Sequence, residues 1–152
     1  MRTHLIAAPL VGFALVLAGC GGSDDDKGLS KADYIKQADA ICQKGDDAQN
    51  KALQSALQAL GTDSPSAEQQ AKLASEIAVP NIENQLKEIK ALGTPKESGD
   101  EAKALLTSLE DATAKVKADP STIVNDGSGP SPFADANAKA KAFGLTVCGS
   151  DS

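Results

Sequence analysis

An all-α, up-and-down four-helix bundle is the fold this sequence predicts for residues 30–152, and three observations carry it. Apolar residues recur at three- and four-residue steps in successive stretches. Short segments of Gly, Pro, Ser and Asp divide those stretches, which favours antiparallel neighbours. No alternating stretch of strand length interrupts them, and no internal repeat is evident.

The first helix is expected over 30–60, with Ser30 as cap, Asp33 three residues later in a capping-box-like arrangement, and Gly61 as the stop. Tyr34, Ala38, Ile41, Ala48, Ala52, Ala56 and Ala59 mark an apolar stripe, joined by Ile35, Leu53, Leu57 and Leu60, with Cys42 on or beside it. Gly in a helix interior costs roughly 1 kcal/mol relative to Ala, which makes Gly45, Asp46 and Asp47 the expected weak point or break. Ser64 and Pro65, cap then first-turn proline, restart the helix, and Glu68 favours the positive end of its dipole. This second helix should reach Leu92, with Leu73, Ile77, Ile82, Leu86, Ile89 and Leu92 as its core face. Pro80 cannot donate to the carbonyl four residues earlier, so a kink or break is expected near Val79, bending the helix around its neighbours.

Gly93, Thr94 and Pro95 separate the second helix from a third, which carries Ala102, Leu105, Leu106, Leu109, Ala112 and Val116 and stops at Asp119 and Pro120. Residues 119–131 read as a loop, either a crossing connection or a binding loop, with Ile123 and Val124 pinning it to the core. Ser131 and Pro132 open a short last helix with Phe133, Ala136, Ala140 and Phe143 on one face, closed by Gly144. The apolar tail Leu145, Thr146, Val147 and Cys148 follows.

Ahead of the bundle, residues 1–19 have the parts of a secretory signal peptide: a cationic start at Arg2, an apolar stretch, and small residues before a cut. The stretch is too short and wrongly flanked for a transmembrane helix. Leu17, Ala18, Gly19 and Cys20 close the apolar run, and their order resembles the lipobox of bacterial lipoproteins. That resemblance implies a diacylglycerol thioether on Cys20, cleavage just before it, and an extracytoplasmic protein held to the cell membrane by lipid. Two acyl chains, at roughly 0.8 kcal/mol per buried methylene, anchor durably where one does not. The alternative is an ordinary signal peptide that leaves Cys20 a plain thiol. Residues 20–29 then form a flexible tether. Its Asp24, Asp25 and Asp26 lack the spaced ligands and turn glycine of a calcium loop and read as a solvated spacer.

With Cys20 lipidated, Cys42 and Cys148 remain as a pair in an exported chain, the setting in which disulfides form and persist. A Cys42–Cys148 bridge would enclose 105 residues, and chain entropy assigns on the order of 4.7 kcal/mol to a loop near that length. A redox-active dithiol would want neighbouring cysteines, whereas these lie at opposite ends of the domain. Residues Leu29 to Ile35, Ala38 to Cys42 and the ending Phe143 to Cys148 resemble small helical lipoproteins of high-GC Gram-positive bacteria. This resemblance covers the two ends of the domain and implies a cell-surface protein without implying any catalytic residue.

Beyond the leader, 14 Lys stand against 21 Asp plus Glu, a formal charge of −7, and the lysines alternate with acids along the chain. No nucleic-acid partner is expected. Met1, Arg2 and His4 leave with the leader, so the remainder lacks His, Met, Arg and Trp. That excludes the usual haem ligands, blue copper, His-based zinc and bidentate Arg recognition, and no cofactor or metal is expected. Glu83, Glu88, Glu97, Asp100 and Glu101 pair by helical spacing, but a helix start or a Glu83-to-Lys87 step keeps such acids ionised on solvated faces. Serine has no His partner and no nucleophile-elbow turn. The chain is read as a non-enzyme.

Two functional classes survive. An interaction module would present a helical face or the 119–131 loop to an envelope protein or the cell wall. A carrier would hold a lipid or other small apolar ligand in a cavity between helices. Ala-rich cores favour close packing, which puts the module first; if Tyr34, Phe133 and Phe143 hold the helices apart, the same alanines line a cavity.

Overall fold

A computed structural model describes residues 28–123 and 130–150. The leader at 1–19, Cys20, the tether as far as residue 27, residues 124–129 with Val124, and residues 151–152 lie outside the described residues. The described chain is all-α, in the order α1 (Lys31–Leu60), α2 (Ala67–Leu73), a π-helical turn (Ala74–Ala78), α3 (Val79–Ala91), α4 (Gly99–Ala118), a 3-10 turn (Pro120–Ile123) and α5 (Ala134–Phe143).

Ser30 caps α1 as the sequence indicates: its Oγ accepts from the Asp33 N–H at 3.1 Å and donates to Asp33 Oδ2 at 2.7 Å. A second cap comes from far along the chain, where Glu97 Oε2 accepts from the Lys31 N–H at 2.9 Å. Both acceptors satisfy donors that a helix start leaves open. Gly28 and Leu29 belong to this arrangement and not to the tether, since Leu29 O accepts from the Lys96 N–H at 2.9 Å and Leu29 packs on the core. Using 94–98 this way also delays α4, which begins at Gly99 and not directly after Pro95.

The expected break at Gly45 does not occur, and α1 passes through it as one helix. Gly45 is buried, and a Cβ there would stand 2.3 Å from the Gln85 side chain. Close approach of α3, and not a stop signal, accounts for the glycine. The second start is also displaced: Ser66, not Ser64, caps α2. There Gln69 N–H donates to Ser66 Oγ at 3.3 Å and Ser66 N–H donates to Gln69 Oε1 at 2.8 Å, a reciprocal box. At Pro80 the helix is re-registered without stopping. The Val79 N–H reaches back five residues to Ala74 O, and this wider turn precedes the residue that has no N–H to give.

The helices alternate in direction. Asn81 bonds Gln49 at 3.0 Å, Gln85 lies over Gly45, and Lys44 pairs with Glu88 at 3.8 Å, so α3 descends as α1 rises. Lys117 pairs with Glu83 at 2.6 Å and Lys90 with Glu110, which reverses the direction again in α4. Ser108 meets Asp135 near one end of α5 while Ala102 clusters with Ala140 and Phe143 at the other. Glu83 thus takes Lys117 as its partner in place of the expected Lys87, because the lysine on the neighbouring helix is brought to it by packing.

The main core joins Tyr34, Ala38, Cys42, Ile89, Ala102, Leu105, Ala140, Phe143 and Leu145. The Tyr34 and Phe143 rings meet edge to face at 5.8 Å between centroids. Val79 is buried although the sequence reading did not place it in the core, while Ala48, Ala52 and Ala59 of the expected stripe are exposed. Ala recurs on every side of α1, so it does not mark a face; Tyr34, Cys42 and Gly45 do.

Candidate functional site: a cavity between the helices

One wall of the site is made by the end of the chain. Gly144, at φ 110°, ends α5 and turns the tail onto α1. Two residues one helical turn apart on α1 hold it there. The Cys42 and Cys148 Sγ atoms are 2.00 Å apart, the separation of a disulfide, with Cα atoms 5.3 Å apart. Asp39 collects a run of tail donors: Thr146 N–H at 3.0 Å and Thr146 Oγ1 at 2.9 Å on Oδ2, then Val147 N–H at 3.0 Å and Cys148 N–H at 3.2 Å on Oδ1. Successive backbone N–H groups wrapped on a carboxylate form an anion nest. Burial alone would raise the Asp39 pKa, but these hydrogen bonds outweigh it and the net shift is downward.

Replacing Asp39 with Ala is therefore expected to cost about 2 kcal/mol at neutral pH, the scale of hydrogen bonds to a charged group. Because the folded pKa is depressed, this stabilisation is present above the unfolded value near 3.9 and is lost as pH falls through the lower folded value. Urea melts of wild type and Asp39→Ala should differ at pH 7, and the difference should shrink as the pH falls through the acid range. Equal midpoints at pH 7 would show that the tail is held without the carboxylate.

Between this tail and the helices lies a cavity of about 660 Å³. Its apolar wall takes Ile82 and Ile89 from α3, Leu105, Leu106 and Leu109 from α4, and Phe133, Ala136 and Ala140 from the α5 side. Leu145, Val147 and the Cys42–Cys148 pair close the tail side, and Ile123 with 130–132 lie at the flank. Ile82, Leu106, Leu109, Phe133, Ile123 and Val147 line this space and are only half-buried among the described residues. The volume lies within the range of small-molecule pockets.

Polar groups enter the wall throughout, with Ser121, Thr122, Ser131, Asn137 and Ser150 among them. Tyr34 is 1% exposed, and its hydroxyl is buried without a hydrogen-bond partner among the described residues. Burial pushes its pKa up, so the hydroxyl stays protonated. Asp46, Gln49 and Gln85 line the cavity further along the bundle. Gln49 Oε1 accepts from Asn81, and burial followed by the charge of Asp47 raises the Asp46 pKa. No lysine is among the lining residues.

An unpartnered buried hydroxyl costs stability, so Tyr34→Phe is expected to raise the stability of the fold by about 1 kcal/mol. Thermal unfolding of wild type and variant checks this. A loss of stability on removing the hydroxyl would show that it has a partner.

The other residues singled out in the sequence fall elsewhere. Glu83, Glu88, Glu97, Asp100 and Glu101 are not in the cavity wall; Glu97 caps α1, Glu83 and Glu88 pair with lysines, and Asp100 stands 3.9 Å from Lys103. Cys20 and Val124 lie outside the described residues. Among the described residues no group of three or more His, Cys, Asp or Glu side chains is placed to hold a metal ion, and no helix is long and apolar enough to cross a membrane. Sequence reasoning missed Asp39, Asp46, Gln49 and Gln85. The last three could have been found as polar residues in register with Tyr34 and Cys42 on α1 and with Ile82 and Ile89 on α3, positions where an amphipathic helix should be apolar. The chain matches no protein-family model, no curated protein and no solved structure.

Proposed function

We propose that this chain is a non-catalytic binding protein, tethered outside the cell membrane by lipid on Cys20, that carries one small apolar molecule in the cavity between its helices. The observation that carries the reading is the set of half-buried apolar side chains, interspersed with polar ones, around about 660 Å³ of shared space. Closing that space over a ligand would remove their apolar surface from water, at roughly 25 cal/mol per Å². Against this stand the costs of association, which leave expected affinities near micromolar. The same observation moves the carrier ahead of the interaction module that composition favoured, since the alanines do not close the bundle completely. Surface display has less to work with: among the described residues Leu60, at 42% exposure, is the large hydrophobic that stands out in solvent.

The anchor rests on the order Leu17, Ala18, Gly19, Cys20 after an apolar run, and the Cys42–Cys148 pair at disulfide distance suits an exported chain. From Cys20 to Gly28 the chain spans at most about 28 Å, which would keep the Tyr34 end of the cavity close to the bilayer. A Cys20→Ser variant should appear in the medium, and its retention in the membrane fraction would contradict the anchor. For the carrier, titration of the oxidised protein with an apolar fluorescent probe should saturate at one equivalent. Linear, non-saturating uptake would contradict a defined site.

A further inference from the structure

Resting on the carrier reading, we infer that the cavity selects an uncharged long-chain lipid bearing hydroxyl, ester or amide oxygens, and discriminates against fatty-acid anions. The first reason is shape. Lining residues on α1 run from Tyr34 to Gln49, about 22 Å at the helical rise. One leaflet of a bilayer is about 15 Å of hydrocarbon, so the cavity has the length for a single acyl chain and a head group beyond it.

The second reason is how polarity is distributed along that length. Ile89, Leu105, Ala140 and Leu145 surround the Tyr34 end, where Asn137 also reaches the wall, whereas Gln49, Gln85, Asp46, Ser121 and Thr122 make the far end the more polar one. The chain therefore belongs toward Tyr34 and the head group toward the amides. Amide side chains both donate and accept, which suits hydroxyl and ester oxygens.

The third reason is charge. A carboxylate or phosphate head group would need a cation, and no lysine lines the cavity. It would instead meet Asp46, which makes no ion pair with any cation among the described residues and stands beside Asp47. Like charges in a partly desolvated site repel, and burial strengthens that repulsion.

The test is competition for the probe site by three ligands of one chain length, on exported, oxidised protein at pH 8: monooleoylglycerol, oleate and oleylamine. Monooleoylglycerol should displace the probe at a concentration at least tenfold lower than oleate. Asp46→Asn should narrow that ratio to threefold or less by admitting the anion. Oleate competing as well as the glyceride would overturn the selectivity while leaving a carrier in place. Oleylamine competing best would overturn it too, by making Asp46 a receptor for cations. If none of the three competes and the probe itself does not saturate, the carrier reading fails and the selectivity fails with it.

Discussion

Opening the Cys42–Cys148 bridge is expected to lower the stability of the folded chain by about 4 kcal/mol. The pair joins residues separated by 106 positions, so it removes much of the freedom of the unfolded chain, and long loops carry the larger part of this effect. Native geometry places the two Cα atoms 5.3 Å apart with both residues on packed elements, so the bridge fits where it stands. For a domain near this size, 4 kcal/mol corresponds to a fall of roughly 15 °C in Tm. The measurement is a pair of urea and thermal melts, with and without reductant, repeated on the Cys42→Ser, Cys148→Ser double variant to separate reduction from the chemistry of free thiols. Both should show the same loss. A change under about 1 kcal/mol would mean that Asp39 and the apolar tail contacts hold the chain end by themselves. Because Cys42, Leu145, Val147 and Cys148 also line the cavity, the reduced protein should release its ligand at lower denaturant than it unfolds.

Filling the cavity should separate binding from stability. Leu106 is half-buried on α4 and lines the cavity, so Leu106→Trp adds ring atoms to its wall. Cavity-filling changes of this kind commonly add about 0.5–2 kcal/mol. The same atoms occupy the volume the ligand needs, so probe affinity should fall at least a hundredfold. Equilibrium titration and urea melts on one protein preparation read both effects. Unchanged affinity in a stably folded variant would place the ligand elsewhere, and a large loss of stability would show that the space is smaller than described.

The all-α fold was legible because its signals are local. Ser30, Gly61, Gly93 and Gly144 punctuate the chain by cap and turn chemistry that needs no tertiary partner, and Leu86, Ile89, Leu105 and Val116 mark faces by helical period alone. Errors arose where tertiary packing decided. Gly45 looked like a break because its propensity was weighed without Gln85, which lies across it. Glu97 looked like a first-turn acid of the third helix, and it caps α1 from 66 residues away. Asp39 carries no local signal at all, since the N–H groups it collects come from the far end of the chain. The cavity was legible only as a condition, that the aromatic residues hold Ala-rich helices apart. Tyr34 and Phe143 do meet at one end, and Phe133 stands in the wall. Whether small side chains pack or line a space depends on distances between helices, which periodicity does not encode.

Native mass spectrometry of protein extracted gently from its own membranes, without reductant, tests the carrier most directly. The expected spectrum shows the chain from Cys20 onward with a diacylglyceryl group, one disulfide, and a single further mass of an uncharged lipid that is absent from Leu106→Trp protein prepared the same way. Wild-type protein that is empty, or that carries the same adducts as Leu106→Trp, would contradict a ligand held between the helices.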